Sequence, residues 1–340
     1  MIPIAATDPL HAHAVTPGTV PHRHPGGMLG QPHTTSGTGI LVSMNDKHTK
    51  DISLSLGSGG ARGLAHIGVI RWLEENEGYN IKAIAGSSMG ALIGGIYAAG
   101  KLDIYEEWVT ALSKRDVFML LDFAYSWSGL FSGDRIMNKL RDMLGEVDIE
   151  DLSIEFTAVA TDLGNRREVW LNTGSLYDAI RASIAIPTVF TPVHLDGRVL
   201  VDGGVVNPVP VAPTLSTITD INIAVSLSGR EEEGLFGDGA EIQASDAPKT
   251  AVQKAIADFI EGIQSRLGVK EKEPSVGMFD VLSDSIEIME NSIARFRLAA
   301  YNPEHLIEIP VNACGVFDFH RAKEMIELGY ERAERVLGKI

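Results

Sequence analysis

A predicted strand, a glycine-serine turn and a predicted helix follow one another without a break between residues 81 and 99, and this run constrains the fold more than any other. The apolar segment Ile81–Ala85 is typical of a buried strand, the pentapeptide Gly86–Gly90 (GSSMG) follows it directly, and the small-residue segment Met89–Ala99 predicts a helix. Glycine at both ends of the pentapeptide removes side chains that would collide with the backbone of a sharp turn. The pattern is typical of a nucleophile elbow, which presents its central serine, Ser88, between a strand and a helix.

A second glycine-rich turn precedes the elbow. The alternating segment Ile52–Leu56 predicts a strand that ends at Gly57–Gly63 (GSGGARG), and Gly63–Glu77 predicts the next helix. Because right-handed crossovers between parallel strands place both turns at the same edge of a sheet, we expect this glycine loop and the elbow serine to face one site. The N–H groups of Gly59 and Gly60 are then natural donors to an oxyanion.

The glycine loop does not fit the common nucleotide-binding patterns. A G-x-G-x-x-G pattern that starts at Gly57 ends on Arg62, one that starts at Ser58 lacks its first glycine, and no Gly-Lys-Ser/Thr follows. The formal net charge of −16 also disfavours nucleic acid as a partner. A hydrolase site is therefore the leading interpretation of the two turns.

A serine nucleophile needs a general base, and the residues alone leave two kinds open. Asp202 ends a short predicted strand, and Gly203 and Gly204 after it allow a tight turn, so a desolvated Asp202 carboxylate beside the serine could accept its proton. A Ser-His-Asp site that uses His66 or His194 is the alternative. Neither histidine lies on an evident loop after a strand, because His66 falls inside a predicted helix and His194 adjoins a strand.

Composition and turn residues divide the chain of 340 residues into three parts. Residues 1–50 are rich in Pro, Gly, Thr and His without apolar periodicity, which predicts a disordered tail. Residues 51–228 alternate strands and helices, which predicts an α/β catalytic domain, a three-layer α/β/α sandwich with a mainly parallel sheet. Residues 229–340 predict a C-terminal extension: an acidic loop, helices at about 249–267 and 276–300, and a last strand and helix that pack on the catalytic domain.

Two segments carry apolar residues whose role stays open. Tyr125–Gly133 interleaves aromatic and small residues, which fits a lid, an acyl-pocket wall or a packed connection between helices. In the predicted helix at 276–300, apolar residues recur at helical spacing, which fits core or subunit packing and also contact with lipid. These residues are Met278, Leu282, Met289, Ile293 and Phe296.

Cysteine usage and hydropathy bear on the compartment. The single cysteine, Cys314, excludes an internal disulfide and fits a buried thiol in a reducing compartment. No run of residues reaches the length of an apolar transmembrane helix. We therefore expect a cytoplasmic protein and leave peripheral membrane contact and a homo-oligomer open.

Several blocks of the chain, in this order, resemble the patatin-like phospholipase family over about residues 52–212. They are the glycine loop ending in Ala61-Arg62-Gly63, the elbow Gly86–Gly90, Arg181–Pro187, Asp202-Gly203-Gly204 and Asn207–Pro210. The form of the glycine loop, together with the later segment Phe317–His320, is similar to the bacterial branch related to neuropathy target esterase.

The resemblance implies a Ser–Asp dyad, with Ser88 as nucleophile and Asp202 as proton acceptor, that hydrolyses phospholipids, lysophospholipids or similar acyl esters without metal or cofactor. It also implies an oxyanion hole in the glycine loop, formed among Gly57, Ser58, Gly59, Gly60, Ala61, Arg62 and Gly63. Ser58 departs from the family pattern, because many members have the first of three glycines there. A lipid-binding or regulatory protein with little turnover is the alternative on the same fold.

Overall fold

A computed structural model describes residues 49–120, 134–187, 189–235 and 278–339. Most of the predicted tail, most of the acidic loop, the helix predicted at about 249–267 and the segment Tyr125–Gly133 lie outside these residues. The described part contains one eight-stranded sheet. Its strands are β1 (Lys50–Leu56), β2 (Tyr79–Ser87), β3 (Glu155–Asp162), β4 (Arg167–Leu171), β5 (Val193–Leu195), β6 (Arg198–Asp202), β7 (Ile221–Gly229) and β8 (His305–Pro310).

Eight α-helices lie in the described residues, together with short 3-10 turns, two of which, Gly60–Leu64 and Gly203–Val205, follow strands at the site. The helices are α1 (Ala65–Glu75), α2 (Met89–Ala98), α3 (Leu102–Thr110), α4 (Lys114–Leu120), α5 (Asp134–Leu144), α6 (Leu176–Ser183), α7 (Met278–Tyr301) and α8 (Ala322–Leu337).

The sheet is mixed and mostly parallel, in the order β5-β6-β3-β2-β1-β7-β8, with β4 also paired to β3. The pairs β1–β2, β2–β3, β1–β7 and β7–β8 are parallel, whereas β3–β4, β3–β6 and β5–β6 are antiparallel. The central strands β1 and β7 are buried along almost their whole length, as expected for parallel strands covered on both faces. The predicted α/β fold with a mostly parallel sheet flanked by helices is confirmed.

Helices cover the two faces of the sheet unequally. On β7, Ile223 and Val225 belong to the large core that includes α1, α2 and α8, whereas Ala224 packs with Ala294 of α7 in a separate cluster. Because successive strand residues point to opposite faces, α7 covers the face opposite α1 and α2. The structure therefore has three layers, and α7 forms part of the third.

The C-terminal segment is built into both the sheet and the helical layer. Strand β8 continues the sheet beside β7, and α8 packs closely on α1. Two glycines permit that approach, because a Cβ on Gly68 would collide with the Ile326 carbonyl oxygen and one on Gly329 with the Ala65 carbonyl oxygen. In the described part of the chain, no helix combines the length and apolar character needed to cross a bilayer.

Candidate active site

The elbow holds Ser88 in a backbone conformation that few non-glycine residues adopt. Ser88 joins the end of β2 to the first turn of α2 with φ 54° and ψ −122°, and its side chain is buried. The turn fits only because Gly90 lacks a side chain, since a Cβ there would collide with the Leu56 carbonyl oxygen at the end of β1. Strain of this kind is typical of functional sites, where the surrounding structure enforces it.

Hydrogen bonds to neighbouring segments fix the elbow. The Ser88 N–H donates to the Ser183 hydroxyl over 3.0 Å, and Ser183 donates to the Val159 carbonyl of β3 over 2.6 Å. The Ser87 hydroxyl donates to the Asn207 carbonyl over 2.6 Å, which gives Ser87 a structural role. Ser183 is a supporting residue that the sequence analysis did not single out, although it lies within the family-like segment Arg181–Pro187.

Strand register brings Asp202 next to the elbow. Ser87 pairs with Val159 of β3, and the next β3 residue, Ala160, pairs with Asp202 at the end of the antiparallel strand β6. The backbone of Asp202 is held on both sides, since its N–H donates to Ala185 O over 2.9 Å and its carbonyl accepts from Thr161 Oγ1 over 2.8 Å. The backbone of Asp202 is therefore fixed at the end of β6.

The environment of the Asp202 side chain favours a proton acceptor that works near neutral pH. Burial raises the pKa of Asp202 to about 7, against the opposing effects of hydrogen bonding to the Ser88 hydroxyl and to the Gly204 N–H. Oδ1 accepts the Gly204 N–H over 2.7 Å, whereas Oδ2 is buried with no partner in full hydrogen-bond geometry among the described residues. The Ser88 contact is thus looser than the Gly204 bond.

The histidines weighed as alternative bases face elsewhere. His66 Nε2 lies 2.8 Å from the Gly57 carbonyl oxygen, and complete burial lowers the pKa of His66 to about 4. The neutral His66 ring therefore contacts the first residue of the glycine loop. His194 lies exposed on the edge strand β5, whereas Ser88 is buried.

Within the glycine loop, several N–H groups are already bonded. Those of Gly57, Ser58 and Ala61 donate to the carbonyl oxygens of Val225, Pro208 and Val316 over 3.0, 2.8 and 2.8 Å. The N–H groups of Gly59 and Gly60 donate to no backbone carbonyl among the described residues. Gly60 has φ +57°, and a Cβ there would stand 2.6 Å from the Val316 carbonyl oxygen, so this position needs glycine.

Arg62 braces the loop. Its buried guanidinium donates to the Gly59 carbonyl over 3.2 Å and to the Val311 carbonyl over 2.6 Å, and pairs with Glu287 of α7 over 2.7 Å. Gly63 approaches α2 so closely that a Cβ there would collide with the Met89 side chain. The loop is therefore held at several points around Gly59 and Gly60, whose N–H groups donate to no backbone carbonyl among the described residues.

A narrow apolar cavity of about 60 Å³ opens beside the elbow serine and the loop. Ser88 and Gly60 lie at it, and its walls are otherwise almost entirely apolar. The wall residues include Leu92, Trp108, Val109, Met137, Phe190 and Phe317. Such a lining fits a hydrocarbon chain.

Comparison with known proteins fits this arrangement. The family model described as patatin-like phospholipase matches residues 54–215. An uncharacterized NTE family protein of Mycobacterium tuberculosis is 39% identical over 328 residues, covering 84% of this chain and 91% of that protein. The chain belongs to the patatin-like phospholipase family. The resemblance predicted from the glycine loop, the elbow and the Asp202 turn is thereby confirmed.

Other relatives are larger members of the family. A patatin-like phospholipase domain-containing protein of Caenorhabditis elegans is 35% identical over 82% of this chain but only 20% of its own length. A lysophospholipase NTE1 of Pyricularia oryzae is 25% identical over 86% of this chain and 19% of its own length. Membership of the patatin-like phospholipase family supports lipid hydrolase activity for this chain.

Proposed function

We propose that this patatin-like protein is a serine acyl hydrolase that uses Ser88 and Asp202 as a two-residue catalytic dyad. The observation that carries the proposal is the buried Asp202 carboxyl beside a serine that is held on a strained elbow. This carboxyl has a pKa of about 7, and its Oδ2 has no partner in full hydrogen-bond geometry among the described residues. A base with a pKa near the working pH is the most effective kind. The neutral His66 and the exposed His194 offer no comparable arrangement.

The proposed reaction has two stages. Ser88 Oγ attacks the acyl carbonyl carbon while its proton passes to Asp202, and the N–H groups of Gly59 and Gly60 bind the resulting oxyanion. The intermediate collapses, the ester C–O bond breaks, and Asp202 returns the proton to the leaving alcohol. A water molecule then gives its proton to Asp202 and attacks the acyl-serine, which releases the fatty acid and restores the Ser88 hydroxyl.

The cavity favours substrates with an acyl chain. Because its walls are apolar and it begins at Ser88, an acyl chain would lie in it with the ester at the serine. Phospholipids, lysophospholipids and similar acyl esters all share this feature. They form the proposed substrate class.

Covalent labelling tests the proposal against the lipid-binding alternative. A fluorophosphonate probe is expected to label the folded wild-type protein on Ser88, since the dyad would activate that hydroxyl. Asp202→Asn is expected to be labelled much more slowly, and Ser88→Ala not at all. A folded wild-type protein that stays unlabelled would favour a lipid-binding role with little turnover.

We also propose that the outer face of α7 contacts a lipid surface. Five apolar residues of this helix were predicted to lie in a core or to contact a subunit or lipid. Of these, Leu282, Met289 and Phe296 are exposed, Phe296 by 78%, whereas Ile293 is half-buried. Val281 and Ile288 extend the same stripe. The inner face carries the ion pair of Glu287 with Arg62 and the packing of Ala294 on the sheet, whereas this apolar stripe points outward. With a net charge of −16, a zwitterionic bilayer suits this stripe better than an anionic one.

Vesicle flotation checks the membrane proposal. Exchanging Met289 and Phe296 together for serine is expected to lower the fraction bound to phosphatidylcholine vesicles by roughly tenfold, because apolar area is lost from the contact. Ile218→Ser is the control, since Ile218 is 96% exposed outside α7. Unchanged flotation of the double variant would contradict the proposal. Conversion of a wild-type dimer to a monomer by the same variant, without a change in flotation, would assign the stripe to subunit packing.

A further inference from the structure

The inner face of α7 binds both halves of the proposed catalytic site. Glu287 pairs with Arg62, which braces the glycine loop, over 2.7 Å. About three turns further along, Arg297 donates to the Val206 carbonyl, just after the Asp202 turn, over 3.1 Å. Charged side chains on α7 therefore join the loop that carries the proposed oxyanion donors to the turn that carries the proposed base.

Glu290 lies between these two contacts, on the same face of α7. Its carboxyl is near enough to the Ser58 hydroxyl to accept a hydrogen bond from it, although this contact is looser than those made by Glu287 and Arg297. Ser58 Oγ also lies close to the Asp202 turn. A Cβ added to Gly204 would stand 2.5 Å from Ser58 Oγ and 3.0 Å from Asp202 Oδ1. Ser58 thus lies between the Glu290 carboxyl and the Asp202 turn.

The groups around Glu290 set its ionisation. Burial, the charge of Asp202 and the charge of Glu287 raise the pKa of Glu290 to about 8, while Arg62 and the hydrogen bond from Ser58 lower it. The raised pKa favours the protonated form of Glu290 near neutral pH. Because the charge of Asp202 disfavours the ionisation of Glu290, the two carboxyl groups titrate as a coupled pair.

We propose that Glu290 is a positioning residue of the active site, which as a neutral acid holds Ser58 and the glycine loop against the Asp202 turn and on ionisation places a second negative charge beside them. This inference rests on the proposed function. It also gives a role to the hydroxyl of Ser58, which stands where many family members have glycine. A second negative charge near the proposed oxyanion donors would oppose the charge that develops in the transition state.

The proposal predicts a bell-shaped pH dependence of kcat/KM. Activity rises with pH through about 7 as the pair loses its first proton, which leaves Asp202 ionised, and it falls above about 8 as the second proton leaves and Glu290 becomes an anion. Glu290→Gln, which mimics the neutral acid, is expected to lose the alkaline limb and keep the acid limb. Glu290→Ala, which cannot hold Ser58, is expected to lower kcat by about tenfold at pH 7.

The experiment is a pH–rate profile for a short p-nitrophenyl ester with wild type, Glu290→Gln and Glu290→Ala. Asp284→Asn is the matched control, because Asp284 is an exposed acid on the same helix, and its profile is expected to coincide with that of wild type. An alkaline limb that persists unchanged in Glu290→Gln would overturn the proposal. So would a wild-type profile without an alkaline limb.

Thermal unfolding gives a readout that does not need turnover. Because the pKa of Glu290 is raised on folding, its contribution to stability is full below about 4.5 and is lost as pH rises towards 8. The difference in Tm, wild type minus Glu290→Gln, is expected to fall by roughly 5 °C or more between pH 5 and 8. Above pH 8 this difference is expected to stay constant. A pH-independent difference would overturn the Glu290 proposal, whereas this shift in a protein without ester hydrolysis would overturn the proposed function alone.

Discussion

Replacing Ser88 by alanine is expected to lower kcat/KM for a p-nitrophenyl ester by at least about 10,000-fold, since the attacking oxygen is removed. The folded structure should tolerate the change, because alanine fits the buried site and the Ser88 N–H bond to Ser183 remains. Steady-state kinetics on purified protein, with circular dichroism to confirm folding, measure both effects.

The neighbouring serine supplies the matched control. Ser87→Ala removes the 2.6 Å bond to the Asn207 carbonyl and is expected to cost stability of about 1–3 kcal/mol. It leaves the proposed nucleophile in place, so kcat/KM is expected to stay within about tenfold of wild type. Equal losses in the Ser87 and Ser88 variants would mean that a disturbed elbow, rather than a missing nucleophile, explains the result.

Replacing Asp202 by asparagine is expected to lower kcat by at least about 1,000-fold, because the amide cannot accept the serine proton. The acid limb of the pH–rate profile, which for wild type is centred near 7, should disappear from the residual activity. His194→Ala should retain the wild-type profile. Loss of activity in His194→Ala together with substantial activity in Asp202→Asn would favour the Ser-His-Asp alternative.

The same substitution has a predicted effect on stability. The pKa of Asp202 rises from 3.8 unfolded to about 7 folded, so its ionisation destabilises the fold as pH increases through this range. At about 1.4 kcal/mol per pH unit, the cost above pH 7 is ~4 kcal/mol at most. Asp202→Asn is therefore expected to unfold at higher denaturant concentration than wild type at pH 8 and to show no such gain at pH 4. Urea unfolding at the two pH values measures this.

The two glycine-rich turns were predictable because each is encoded in consecutive residues. Strand, turn and helix follow one another at Gly86–Gly90 and at Gly57–Gly63, and parallel crossovers bring such turns to one edge. The sequence favoured Gly59 and Gly60 as oxyanion donors but could not show that the other N–H groups of the loop are occupied. Those of Ser58 and Ala61 bond the carbonyl oxygens of Pro208 and Val316, which lie far away along the chain.

The approach of Asp202 to Ser88 depends on strand pairing that no local pattern encodes. Asp202 ends β6, and only the antiparallel register against β3 places it beside the elbow. The sequence Asp202-Gly203-Gly204 predicted a tight turn, but it did not show whether the preceding strand runs parallel or antiparallel to its neighbour. The pairing of Asp202 with Ser88 was therefore predicted from the family resemblance and not from the spacing.

Helix α7 shows the limit of apolar periodicity. The spacing of Leu282, Met289 and Phe296 correctly predicted a helix, but periodicity does not say which face packs inward. Here Glu287 and Glu290 lie on the inner face because Arg62 and Ser58 offer them partners there, and the apolar stripe lies outside. The sequence alone therefore could not point to the role that we propose for Glu290.

The most direct test of the dyad is to trap the acyl-enzyme. Wild-type protein mixed with a short-chain p-nitrophenyl ester, quenched in acid during the first turnover and digested, is analysed by peptide mass spectrometry. The account predicts an added acyl mass on Ser88 in wild type and its absence in Ser88→Ala, with much slower formation in Asp202→Asn. Turnover by wild type with the acyl group on another residue would contradict it.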